Sequence, residues 1–75
     1  MSLSDEIREE ALSLARQGLD AGEGAARLLA RSPRRIPVVV AKQQLQEEVG
    51  RGTDPNAAQA LQILEDMLRR GTWSE

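Results

Sequence analysis

Glycine and proline cut this chain into four stretches, none longer than a short helix. The breaks fall at Gly18, at Pro33 and Pro37, at Gly50 with Gly52, and at Gly71. Within each stretch, leucine, alanine and β-branched residues recur at three- and four-residue intervals. That spacing lays an apolar stripe along one side of an α-helix. The sequence therefore predicts an all-α fold, a small bundle of four short helices over about 3–17, 21–31, 37–49 and 55–70. Residues 1–75 leave room for a single helical domain, with 71–75 as a short C-terminal tail.

Local signals support each stretch. Ser2 or Ser4 can cap the first helix, and Asp5 and Glu6 sit at the positive end of its dipole. Its apolar set is Leu3, Ile7, Ala11, Leu12, Leu14, Ala15 and Leu19, with Gly18 as a left-handed terminator. Asp20 and Glu23 have capping-box spacing for a second helix that buries Ala25, Leu28 and Leu29, although Gly22 and Gly24 weaken its first turn. The fourth begins with Asp54 as N-cap and Pro55 at the first helical position. It carries Ala57, Ala60, Leu61, Ile63, Leu64, Met67 and Leu68, and Gly71 closes it.

The third stretch is the unusual one. "RSPRRIPVVVAKQQLQEE", residues 31–48, sets two prolines and three consecutive valines beside a cluster of arginines. A strand over Ile36–Ala41 would suit the β-branched run. Nothing visible could pair with it, and Ala41–Glu48 is strongly helix-forming, so a helix is predicted. Pro37 in its first turn costs no hydrogen bond. Ser32–Ile36 reads as a stiff connector and Gly50 as the stop. Val38, Ala41, Leu45 and Val49 form the inward face, while Val39 and Val40 point sideways, so one turn is apolar nearly all round. Such a collar is either threaded between the other helices or covered by a partner.

Charge singles out the same place. Residues 27–42 hold Arg27, Arg31, Arg34, Arg35 and Lys42 with no acidic group, whereas the whole chain carries a net charge of −2. Arg34 and Arg35 before a helix start could add to an anion site, or simply be solvated and offset the acidic first helix. The expected partner-binding set is Val39, Val40, Arg34, Arg35, Lys42 and Trp73. Trp73 can fold back onto the bundle as its missing aromatic or serve as an exposed anchor.

Composition bears on partners and chemistry. Ten Leu and ten Ala, with no Phe or Tyr and one Trp, give a core of small and medium pieces. Small domains of this kind often complete their core across a dimer interface, so a homodimer is expected. Without Cys or His, disulfides, thiolate or imidazole metal sites, Cys nucleophiles and His bases are excluded. The carboxylate pairs Glu6/Glu10, Glu9/Glu10, Glu47/Glu48 and Glu65/Asp66 fall on or beside polar helix faces, where carboxylates are solvated. No enzyme, cofactor, metal or small-molecule substrate is expected. No membrane span or secretory leader is expected either, since acidic residues follow Met1–Ser4, and a cytoplasmic location fits.

A second function remains open. "AARLLARSPRRIPVVVAKQQLQEEVG", Ala25–Gly50, resembles the two-helix core of bacterial helix-turn-helix regulators, the LysR type in particular. In those proteins an "AA–LL" helix leads through a serine-containing turn to a helix with a Leu–Glu-rich end. The likeness covers about a third of the chain. It implies a nucleic-acid-binding regulator using the basic 27–42 segment. Contacts would come from Arg31, Arg34, Arg35, Lys42, Gln43, Gln44 and Gln46. The sequence departs from the motif in two ways. Arg34–Ile36 lengthens the connection by about three residues. Val38–Val40 also stand where base-reading polar residues belong.

Overall fold

A computed structural model describes residues 2–71 and residue 73. Among them are four helices and no strand: α1 (Leu3–Arg16), α2 (Ala21–Leu29), α3 (Arg35–Arg51) and α4 (Ala57–Arg70). The alternative of a strand over Ile36–Ala41 is thereby overturned. The bundle is built around α4, which packs on each of the other three helices. α1 also packs on α3 and touches α2 lightly. Ala11, Leu12, Ala25, Leu28, Val38, Ala41, Leu45, Ala57, Ala60, Ile63, Leu64 and Met67 fill the core.

Boundaries follow their caps. The Ser2 side chain, rather than Ser4, accepts from the Asp5 backbone N–H at 3.2 Å and opens α1. The Ser2 hydroxyl, then its backbone N–H, and further the Arg8 guanidinium hold the Asp5 carboxyl below its ordinary range. At the other end Gly18 is left-handed, with Gly18 N–H donating to Ala15 and Leu19 N–H to Leu14. This is the Schellman closure that the Gly18–Leu19 pair predicts. α2 stops two residues short of the expected Arg31 because Ser32 adopts a left-handed conformation that a glycine would adopt more readily.

α3 differs most from expectation. It begins at Arg35, two residues before Pro37, so part of the expected connector is helix. Pro37 is thus third in the helix, still among the positions whose N–H has no intrahelical acceptor, which is why it is tolerated. The helix also runs through Gly50 and ends at Gly52, whose positive φ closes it. A Cβ added at Gly50 would meet nothing, so Gly50→Ala is expected to raise stability by about 0.5–1 kcal/mol. A thermal melt checks this, and a lowered midpoint would contradict it.

α4 starts at Ala57 rather than Pro55. Asp54 still organises the approach, accepting the Asn56 N–H on its carboxylate at 2.8 Å and the Ala57 N–H on its carbonyl at 3.1 Å. Of the expected tail, residues 72, 74 and 75 lie outside the described residues.

Polar ties fix the helices against each other. Arg8 donates to Gln44 at 2.9 Å, joining α1 to α3. Arg70 donates to the Gly22 carbonyl at 2.9 Å, joining the end of α4 to the start of α2. Gln59 donates to the Leu19 carbonyl at 3.1 Å, satisfying the loop between α1 and α2. Asp66, expected on a solvated face, is instead 7% exposed. It is paired with Arg69 and Arg70 one turn on, which supply the compensation that a buried carboxylate requires.

Candidate functional site

α3 alone of the four helices has almost no amphipathic asymmetry. Its inner side is complete: Val38, Ala41 and Leu45 are fully buried. Its outer side nevertheless starts with apolar groups. Ile36 is 65% and Val40 37% exposed, and Val39 is half-buried. Ile36, Val40, Gln43 and Glu47 follow one another at four-, three- and four-residue steps along the side turned away from the core.

The expected collar is therefore divided. Val38 belongs to the core, and Val39 and Val40 to the outer side, with Ile36 joining them. Sequence reading placed Ile36 in the connector and so missed it; its four-residue spacing to Val40 was the available signal. Val49, expected on the inward face, is 40% exposed. Eleven residues on from Val38, at about 100° each, it keeps the same side of the helix, and its exposure comes with its place in the last turn, three residues before the Gly52 cap.

The basic residues separate in the same way. At about 100° per residue, Arg35 and Lys42 lie on one flank of the outer side, beside Val39 and Gln46. Arg34 precedes the helix as its N-cap and makes no side-chain cap bond. It lines a different feature, a cleft of about 350 Å³ between α1 and the connector, with Leu3, Glu6, Ile7, Pro33 and Pro37. Arg31, on the same cleft, holds both carboxylate oxygens of Glu10. Arg27 pairs with Glu23 at 3.8 Å. Gln43 and Gln46 are exposed, whereas Gln44 is engaged by Arg8.

Trp73 turns back onto the bundle. It is half-buried against the core, its ring lying where a Gly71 side chain would be, and its buried indole N–H has no hydrogen-bond partner among the described residues. A glycine at 71 is what leaves room for the ring.

α2 and α3 do not pack on one another. A helix-turn-helix unit needs that contact to present its second helix. The likeness over Ala25–Gly50 therefore lacks the geometry it implies. Among the described residues, no group of three or more His, Cys, Asp or Glu side chains is placed to hold a metal ion. No described helix is long and apolar enough to cross a membrane.

No protein family, curated protein or solved structure matches the chain.

Proposed function

We propose that this protein is a non-catalytic interaction module, a small helical adaptor or regulator that self-associates, and that the outer side of α3 is its contact surface. The supporting observation is the two-sided character of α3. One side saturates the core while the other presents Ile36 and Val40 to solvent, with Val39 between Ile36 and the flank that carries Arg35 and Lys42. An exposed apolar spot with a charged margin is the usual make-up of a protein contact surface. Nucleic acid is less well served. Arg27 and Arg31 of the basic segment are engaged by Glu23 and Glu10, and a cation already paired with a carboxylate contributes less to phosphate affinity.

Size-exclusion chromatography with light scattering over a concentration series is expected to approach twice the 8.2 kDa protomer mass. Val40→Asp is expected to return the protein to a folded monomer. A wild-type protein that stays monomeric throughout would overturn the reading. Duplex binding at low salt that drops on Arg34→Ala/Arg35→Ala would point to nucleic acid instead.

A further inference from the structure

We infer that α3 pairs in parallel with α3 of a second copy, about a two-fold axis running along the helix, and that Lys42 pairs with Glu47 of the partner subunit. This inference rests on the reading above and specifies the partner and its orientation.

A heptad runs along the part of the outer side of α3 that adjoins Arg35 and Lys42. Ile36, Gln43 and Gly50 fall seven residues apart, with Val39 and Gln46 between them. These are the a and d positions of a two-heptad seam. The helix sides agree with this register. Pro37, Val38, Ala41, Gln44, Leu45 and Glu48 take the b, c and f positions, which turn away from the seam and into the protomer. Each of these six is buried or half-buried.

Charge then selects the partner and its direction. Val40 and Glu47 occupy e, and Lys42 occupies g. In a parallel pair a g residue meets the e residue five positions on in the opposite helix, which sets Lys42 against Glu47 of the partner subunit, twice by symmetry. An antiparallel pair brings like flanks together and places Lys42 beside its own copy. Neither Lys42 nor Glu47 makes an ion pair with a described residue in the protomer, so both charges are available.

Two heptads alone would not hold two isolated helices together, because each would first have to be ordered. Here α3 is already fixed by Val38, Ala41 and Leu45 in the core, so association does not carry that cost. The seam has no charged residue; Gln43 and Gln46 each face their own copy across it, two polar layers following the apolar layers of Ile36 and Val39.

Absence of cysteine from the chain makes single-cysteine cross-linking clean. Under mild oxidation Ile36→Cys is expected to form a covalent dimer, since a parallel seam brings this residue onto its own copy within disulfide reach. Ala58→Cys, on the exposed side of α4, is expected to stay monomeric in the same conditions. Lys42→Glu and Glu47→Lys are each expected to weaken dimerisation about fivefold, and the double exchange to restore it to within about twofold. Circular dichroism melts of all variants establish that the protomer remains folded. A dimer that shows neither the Ile36→Cys cross-link nor recovery in the double exchange would overturn the inference and leave self-association standing. A cross-link through Gln43→Cys without one through Ile36→Cys would mean an antiparallel pair and would equally overturn it. A monomeric wild-type protein would remove both readings together.

Discussion

Leu45→Ala is expected to lower the unfolding free energy by about 3–4 kcal/mol. Leu45 is fully buried on the inner side of α3. Its removal leaves a void that the surrounding side chains have little means to fill. Ala41, one turn away on the same side, is among the smallest core residues, and the core holds no Phe or Tyr that could swing into the space. A 75-residue domain has on the order of 4–11 kcal/mol of stability in total, so this one truncation threatens the fold. Urea unfolding monitored by circular dichroism measures it. A midpoint unchanged from the wild type would mean that α3 is not seated as described.

The second large effect lies at the crossing of α2 and α4. A Cβ on Gly24 would come within 2.7 Å of Ile63 Cδ1 and 2.8 Å of its Cγ1, and Ile63 is fully buried. Helix propensity alone would favour replacing this glycine. Steric overlap decides the sign, because a β-branched side chain locked in a core has few rotamers to retreat to. Gly24→Val is expected to destabilise by about 2–3 kcal/mol. Ile63→Ala, itself destabilising, is expected to cost far less in the Gly24→Val background, so the pair departs strongly from additivity. Simple addition of the two losses would show that the helices have moved apart rather than clashed.

The contrast between Gly24 and Gly50 marks how far the sequence could be read. Both are glycines in helices, and as letters they look alike. One is there because α4 lies against it, while the other faces open space. Periodicity found all four helices and nearly all of the core, because stripes of Leu and Ala at helical spacing are a property of the chain itself. It placed Pro37 two positions too early in its helix, since a first turn can hold proline at more than one position. It also took Gly50 for a terminator when Gly52, two residues on, is the one with positive φ.

The site was legible in part. The valine run, the flanking cations and their common helix stand out in the sequence itself. The division of Val38 from Val40, the removal of Arg34 to the cleft and the tying of Arg31 to Glu10 depend on which helices meet, and no local signal carries that. Asp66 is the clearest case. Its burial follows from the place of α4 at the centre of the bundle, and its pairing with Arg69 and Arg70 becomes meaningful once that place is known.

That central place has a consequence for the order of events during synthesis. α4 is the last of the four helices to leave the ribosome, yet it is the one on which the others rest, and α2 and α3 have no contact of their own to hold them together. The nascent chain up to Gly52 would carry Leu28, Val38 and Leu45 with much of their cover still unmade. Folding then waits for translation to pass Met67, and a transcript broken before that codon would yield a polypeptide exposed to proteases rather than a smaller working domain.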